Sequence, residues 1–166
     1  MEIRPATVAD LPACQAIYAH HVLEGTGTFE EIPPSLEAIT ARYQAIIDAK
    51  RGWVVALDAT GVLGFAYFDR YRQRAAYRFA AEDSVYVRED VRGQGVGKLL
   101  VAELLEAAKA AGFRQMLALI GDADNIGSIG MHASLGFQRV GHLRDVGFKF
   151  GRWLDVVIMQ RRLSDS

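Results

Sequence analysis

Several features are scarce or absent in this sequence, and each shortage narrows what the protein can be. There is a single cysteine, Cys14, so no intramolecular disulfide can form and a reducing cytoplasm is the expected location. The formal net charge of -1 gives no general attraction to nucleic acid or to an anionic membrane surface. No apolar run approaches the roughly twenty residues that span a bilayer, and the opening MEIRPATVADL lacks the apolar core of a secretory signal.

Apolar residues, by contrast, are plentiful. The chain has 166 residues, of which 51% are hydrophobic, and no internal repeat or low-complexity linker divides it. This length and composition predict one domain, 1–166, whose core is large enough to need neither a metal nor a disulfide for stability.

One stretch in the middle of the chain carries the clearest local signals. It opens with Val85, Tyr86 and Val87, β-branched and aromatic residues typical of a strand. A helix is predicted to follow, because apolar or small residues recur at the spacing of one helical face, at Gly97, Leu100, Val101, Leu104 and Ala108. This helix is predicted to run to Ala111, with Gly112 supplying the left-handed conformation common after a helix. Between strand and helix lies the turn Arg92-Gly93-Gln94-Gly95-Val96-Gly97.

A strand, a glycine-rich turn and a helix together predict an anion site. Glycine lets a ligand approach the backbone, and the first amides of a helix have no partner inside it. The helix dipole and the flanking Arg92 and Lys98 add positive charge, so a phosphate or diphosphate is the natural occupant. A Walker A loop does not fit, because it needs Ser or Thr at the position of Leu99. A dinucleotide fingerprint does not fit either, because it needs glycine at the position of Lys98.

The turn resembles the Arg/Gln-x-x-Gly-x-Gly/Ala signature of the GNAT acyl-CoA-dependent N-acetyltransferases. The resemblance implies that acetyl-CoA is the co-substrate and that backbone amides of residues 92–98 hold its diphosphate. It further implies that Val85, Tyr86 and Val87 bind the pantetheine arm and the thioester carbonyl through their backbone, and that Asn125 and Ser134 contact the CoA arm. From its sequence position alone, Asn125 is equally suited to cap the helix that follows it.

The order of predicted elements is also similar to that of the GNAT fold. It reads β-α-α-β-β-β-α-β-α-β-β and implies an α+β domain, an α/β/α sandwich in which helices flank a mixed, mostly antiparallel sheet. Asp10 and Ser35 are predicted helix caps. Besides the short first strand and the central helix, the expected helices are 11–23, 35–49 and 126–135, and the expected strands are 53–58, 62–71, 79–87, 115–120, 137–143 and 153–161.

Glu82 is the carboxylate best placed for acid–base chemistry, three residues before Val85. Attack by an amine on a thioester requires a neutral amine, and a carboxylate beside the cofactor strand could remove its proton. Asp83 would face the opposite side of the strand and is the competing carboxylate. The alternative is that Glu82 only forms a surface ion pair with Arg74 or Arg78.

A narrower resemblance, to the phosphinothricin/methionine sulfone N-acetyltransferase branch, rests on several segments. They include Ala81-Glu82-Asp83-Ser84-Val85-Tyr86-Val87, Leu135-Gly136-Phe137 and Gly147-Phe148-Lys149-Phe150-Gly151-Arg152-Trp153-Leu154-Asp155. The branch implies Glu82 as general base and a role for His132, which stands where many GNAT enzymes have a tyrosine that protonates the CoA sulfur. Without the family, His132 reads equally well as a core or capping histidine.

The same branch implies an acceptor amine that is a small amino acid analogue with a tetrahedral, oxygen-rich group. Arg72, Arg74 and Arg78 are candidate ligands for its oxygens, and Tyr77 would shape the pocket. Phe29 is either a pocket wall or a plug of the core, and the arginine-rich segment is otherwise a solvated hairpin tip. The branch also implies a homodimer formed through the C-terminal strands. Other possible functions are acetylation of protein N-termini or polyamines, and a non-catalytic acyl-CoA-binding module; no metal is expected.

Overall fold

The computed structural model describes residues 1–164, so residues 165 and 166 of the predicted domain lie outside the described residues. The strands are β1 Glu2–Pro5, β2 Trp53–Asp58, β3 Gly61–Arg70, β4 Ala80–Val87, β5 Gln115–Gly121, β6 Gln138–Lys149 and β7 Arg152–Arg162. The α-helices are α1 Leu11–Glu24, α2 Leu36–Asp48, α3 Val96–Ala110 and α4 Ile126–Ser134. The predicted order of strands and helices is confirmed.

The strands form one mixed sheet in the order β1-β2-β3-β4-β5-β7-β6. Neighbouring strands are antiparallel except β4 and β5, which run parallel and are joined through α3. These two strands pair only from Ala80 to Glu82 against Gln115 to Leu117. Beyond Glu82 they diverge, and the divergence leaves a wedge-shaped opening in the middle of the sheet.

Helices cover both faces of the sheet and bury two separate apolar cores. On one face, α3 turns the predicted residues Leu100, Val101, Leu104 and Ala108 inward, and all four are fully buried. Burial of each leucine is worth about 2 kcal/mol. On the other face, α1 and α2 pack over an aromatic cluster in which the ring of Trp53 stacks against those of both Phe65 and Tyr67. Side chains of β4 alternate between these two cores.

The ends of the helices confirm two local predictions and correct a third. Ser35 accepts a hydrogen bond from the amide of Ala38, and Gly112 takes a left-handed φ of +91° just past α3. The prediction that Asp10 caps α1 is wrong. Its carboxylate instead accepts two hydrogen bonds from Arg4 and one from the amide of Thr7, because Asp10 already has helical backbone angles and its side chain turns back.

The C-terminal hairpin is longer than the sequence predicted. Strand β6 continues past the expected end at Leu143 to Lys149, with an irregularity in its pairing to β7 between Leu143 and Gly147. The turn is the pair Phe150 and Gly151, both with positive φ, which is the conformation of a tight hairpin. None of the helices within residues 1–164 has the length and apolar character needed to cross a membrane.

Candidate active site

A cleft of about 870 Å³ occupies the opening between β4 and β5. Its walls come from β4 between Glu82 and Val87, from the start of α3, from the end of β5 and from the start of α4. Residues from both faces of β4, Glu82 and Asp83 among them, belong to its lining. The cleft brings together residues for which the sequence predicted two different roles, cofactor binding and catalysis.

One end of the cleft is the amino terminus of α3. Gly93 and Gly95 have positive φ angles of +77° and +81°, and a Cβ added to either would meet nothing within 4 Å. The first amide to bond back into the helix is that of Leu99, to the carbonyl of Gly95. Within residues 1–164, the three amides before it, those of Val96, Gly97 and Lys98, have no hydrogen-bond partner, and all three residues line the cleft. This geometry fits a diphosphate held against bare backbone.

The cations predicted beside this loop lie on either side of it. Lys98 lines the cleft, and Arg92 lines it while its guanidinium lies 3.3 Å from the carboxylate of Glu89. Gln94 is exposed and outside the cleft lining, because the turn points its side chain outward. An anion bound at this loop would therefore contact mainly its backbone and less its side chains.

Beyond Glu82, the edge of β4 that faces the opening pairs with no strand within residues 1–164. Val85, Tyr86 and Val87, which the resemblance assigns to the pantetheine arm, all line the cleft. The carbonyl of Val87 accepts a hydrogen bond from Nε2 of His21, 2.8 Å away. Burial lowers the pKa of His21, so its ring is a neutral donor at this position. The sequence placed His21 at the end of a helix and did not anticipate this contact.

Glu82 is half-buried at the point where β4 and β5 part. Burial raises the pKa of its carboxyl; the charge of Arg72 opposes this shift, and those of Asp83 and Asp69 add to it. The alternative ion pair with Arg74 or Arg78 is not formed, since neither guanidinium in the described chain lies within 4 Å of this carboxylate. A carboxylate with a raised pKa in a cleft is a better base near neutral pH.

Asp83 points to the other face of β4, as predicted, and meets His132 there. The two side chains are 2.9 Å apart, between Oδ2 and Nε2, and both are almost fully buried. The other ring nitrogen, Nδ1, lies 2.8 Å from the carbonyl of Ser128. Burial lowers the pKa of His132, but the charge and hydrogen bond of Asp83 outweigh it and the net shift is upward.

The start of α4 contributes Asn125, and the end contributes Ser134. Asn125 lines the cleft, and its side chain also accepts a hydrogen bond from the amide of Ser128, so it is both a helix cap and a cleft residue. Ser134 lies outside the cleft lining. It is exposed and donates to the carbonyl of Met131, because it sits on the outer side of the last helical turn.

The residues predicted to contact the acceptor lie outside the cleft lining. Phe29 packs its ring against two glycines of the sheet: a Cβ added to Gly121 or Gly147 would lie 2.9 or 2.5 Å from it. With 36% of its surface exposed, Phe29 is not a plug of the core, and Gly121, which it contacts, lines the cleft. Tyr77 is exposed and meets Tyr71 edge-on.

The arginines of the segment between β3 and β4 are mostly solvated. Arg72 lies over the ring of Tyr71 at 4.2 Å, and Arg78 over the ring of Phe79 at 4.7 Å. Arg74 precedes a short 3-10 turn, Ala75–Tyr77. Of these arginines, only Arg72 has a charge that acts on Glu82.

The cleft also contains a polar network that the sequence reading missed. Asp122 accepts hydrogen bonds from Thr26 at 2.6 Å and from Arg152 at 3.2 Å, and thereby connects two loops to the start of β7. Its other oxygen accepts from the amide of Asp124, two residues on. This short-range contact is a turn signal that Asp-x-Asp offers in the sequence. Within residues 1–164, no cluster of His, Cys, Asp and Glu side chains suits a metal ion.

Comparison with known proteins agrees with this geometry. Residues 15–137 match the model of the acetyltransferase (GNAT) family. Phosphinothricin N-acetyltransferase of Alcaligenes faecalis is 49% identical over 155 residues, which are 93% of this chain and 79% of the relative. The L-methionine sulfoximine/L-methionine sulfone acetyltransferase of Pseudomonas aeruginosa is 45% identical, with 99% of this chain and 95% of the relative covered.

A solved structure extends the comparison to three dimensions. The phosphinothricin acetyltransferase of Sinorhizobium meliloti, crystallised with acetyl-CoA, superposes with a TM-score of 0.96 at 45% identity. The match covers 99% of this chain and 89% of that one. With the family model matched over most of this chain's length and relatives at 45–49% identity, the chain belongs to the GNAT family of acetyl-CoA-dependent N-acetyltransferases.

Proposed function

We propose that this enzyme transfers an acetyl group from acetyl-CoA to the α-amine of a small amino acid analogue of the phosphinothricin, methionine sulfone or methionine sulfoximine type. One observation carries the mechanism: the half-buried carboxylate of Glu82 lines the same cleft as the anion site at the start of α3. An acid–base group and a diphosphate cradle in one cleft meet the requirements of acyl transfer from CoA. The names of the relatives supply the acceptor class.

Glu82 is the general base in this proposal. A free α-amino group has a pKa of about 8, so near neutral pH most acceptor molecules carry a proton that must leave before attack. The carboxylate of Glu82 takes this proton, directly or through water. The neutral nitrogen then attacks the thioester carbonyl, a C–N bond forms, and the C–S bond breaks with its electron pair on sulfur. The charge of His132, on the cleft wall, stabilises the departing thiolate, which becomes a thiol with a proton from solvent, while the nitrogen loses its second proton to solvent as the amide forms.

The acetyl group passes directly to the amine, with no acyl-enzyme. Cys14, the chain's one thiol, is fully buried in α1. Burial raises its pKa to about 12, so it has almost no thiolate near neutral pH. A single reduced thiol is also consistent with the cytoplasmic location we propose.

The acceptor binds on the side of the sheet that Glu82 faces. Phe29 and Tyr77 form the aromatic part of this proposed subsite, and Arg72, Arg74 and Arg78 supply cations for the acceptor's carboxylate and tetrahedral oxygens. The charge of Arg72 already acts on Glu82, which supports its nearness to the reacting amine. The other four residues are proposed from the branch resemblance.

A steady-state screen tests the acceptor class. Acetyl-CoA is held saturating, and free thiol release is followed with phosphinothricin, methionine sulfone, methionine sulfoximine, unmodified amino acids, polyamines and peptides with free N-termini. We expect kcat/KM for the amino acid analogues to exceed that for polyamines and peptides by at least about 100-fold, which is about 2.7 kcal/mol of discrimination. Comparable or higher values for a peptide or a polyamine would replace the proposed acceptor with that class.

We further propose that two copies associate through the C-terminal hairpin. Strand β6 is the edge of the sheet and pairs only with β7 among the described strands. Large apolar side chains are exposed along this hairpin, with Phe148, Phe150 and Trp153 each more than half accessible. An open edge strand that carries an apolar patch is a surface that natural proteins cover. The branch resemblance points to a second copy as the cover.

Trp153→Glu is expected to convert the dimer into a monomer at micromolar concentration. A buried indole is a typical interface anchor, and a carboxylate in its place would be desolvated without a partner. Light scattering coupled to size exclusion measures the change. Ile32→Glu is the control, because Ile32 is 82% exposed and lies outside the hairpin. A wild-type chain that elutes as a monomer throughout would refute the proposed association.

A further inference from the structure

A buried ion pair spans the root of the cleft, where the sheet opens. Asp83 is the first residue of β4 beyond its pairing with β5. His132 lies in α4, the helix that follows β5. Their contact, 2.9 Å between Oδ2 and Nε2, therefore connects the two walls of the cleft where hydrogen bonding between the strands stops. Both residues line the cleft, yet their side chains are only 3% and 2% accessible.

The partners of the ring determine how many protons His132 carries. A carbonyl oxygen only accepts, so Nδ1 must donate to the carbonyl of Ser128 at 2.8 Å. Nε2 faces a carboxylate oxygen of Asp83, and an ionised carboxylate also only accepts. With the carboxylate of Asp83 ionised, both of these acceptors need an N–H group, which gives the imidazolium form, and the upward shift in the pKa of His132 favours that form.

The surroundings leave Asp83 as the group that stabilises this charge. Asp83 on β4 places its negative charge beside the ring of His132. Phe137, just before β6, contacts the same ring only with its aromatic edge, at 4.8 Å between the ring centres. The helix that carries His132 contributes Ser128, whose carbonyl and hydroxyl are uncharged. Within residues 1–164, no other carboxylate lies within 4 Å of the ring. Burial by itself lowers the pKa of His132, so without Asp83 the ring would become neutral.

We propose that Asp83 is a positioning residue that keeps His132 doubly protonated at the wall of the acetyl-CoA cleft. This inference rests on the proposed function, in which the charge of His132 stabilises the departing thiolate of CoA. When the C–S bond breaks, its electron pair stays on the sulfur beside the imidazolium, and the thiolate then takes a proton from solvent. Nε2 and Nδ1 keep donating to Asp83 and Ser128 throughout, so the ring keeps its charge. Asp83 is not consumed; its role is to ensure that the positive charge is present when the thiolate leaves.

Asp83→Asn tests the assignment with two readouts. In the wild type, kcat falls as pH rises through the raised pKa of His132. In the variant, the ring loses its ionic partner and deprotonates at lower pH, so the alkaline limb of the kcat profile moves down by at least about one pH unit. A titration of His132 followed by NMR reports the same shift in the absence of substrates. The signal is assigned by its absence in His132→Asn.

Asp124→Asn is the matched control. It removes one negative charge from the same cleft but does not touch His132, so neither the NMR titration nor the alkaline limb should move by more than about 0.3 pH units. An unchanged His132 titration in Asp83→Asn would overturn the proposal.

Nitrogen-15 spectra of the wild-type enzyme keep the proposal testable if Asp83→Asn does not fold. Both ring nitrogens of His132 should be protonated at pH 7, and a neutral tautomer would contradict the assignment. If the wild type acetylates no amine, the proposed function is wrong. The NMR measurement still decides independently whether Asp83 keeps His132 protonated.

Discussion

Replacing Glu82 with glutamine is expected to lower kcat/KM by about 100- to 10,000-fold, the usual contribution of a general base. Glutamine keeps the size and polarity of the side chain but has no basic oxygen pair that can accept the ammonium proton. The loss should appear in kcat, because the amide still occupies the cleft and the acetyl-CoA loop is untouched. Thiol release with saturating acceptor measures kcat, and calorimetry measures the affinity for CoA. Together they distinguish a loss of catalysis from a loss of CoA binding.

Glu24→Gln provides the matched control for this experiment. Glu24 also lines the cleft but belongs to the last turn of α1, away from the point where β4 and β5 part. The same change of carboxylate to amide should leave kcat within about twofold of the wild type. A Glu82→Gln enzyme that retains a third of the wild-type kcat would remove Glu82 from the role of base.

The raised pKa of Glu82 has a consequence for stability that supports the same test. The folded state binds this proton more tightly than the unfolded state, whose carboxyl titrates near 4.5. Stability contributed by this group is therefore present at low pH and is lost as pH rises from about 4.5 through the raised folded pKa. Glutamine does not ionise, so the variant does not lose this stability as pH rises. Glu82→Gln should therefore be at least as stable as the wild type at pH 7. An inactive but undamaged enzyme is the combination that a merely structural glutamate would not give.

The part of the site that sequence alone predicts is the part built from neighbours in the chain. The loop from Gly93 to Gly97 and the apolar face of α3 are short-range patterns, because glycine conformation and helical spacing are local properties. Ser35 and Gly112 are helix caps for the same reason. The single domain and the site roles of individual residues remain predictions from the sequence.

What sequence did not reveal depends on contacts between distant segments. Asp83 and His132 are 49 residues apart, and no local sequence pattern around either residue predicts their contact. Phe29 fits against Gly121 and Gly147 only because three separate segments meet there. The true end of β6 was missed for another reason: most of its side chains are exposed on both faces, so the alternation that marks a strand is absent.

Gly95→Ala is expected to weaken acetyl-CoA binding by about ten- to a hundredfold, or roughly 1.4 to 2.8 kcal/mol. Gly95 precedes the first residue of α3 with a φ of +81°, and its missing Cβ would point into space that no protein atom fills within 4 Å. A methyl group there would stand between a diphosphate and the bare amides that bind it. Calorimetry with CoA measures the loss, and KM for acetyl-CoA should rise in parallel.

Backbone strain contributes to this result and has to be separated from ligand contact. An alanine at positive φ costs about 1–2 kcal/mol wherever it occurs. Gly112, at the other end of the same helix, has a φ of +91° and equally open space around its missing Cβ, but it lies away from the cleft. Gly112→Ala should therefore lose similar thermal stability while the affinity for CoA stays within about twofold of the wild type. Equal losses of CoA affinity in the two variants would mean that the loop binds no diphosphate through its backbone.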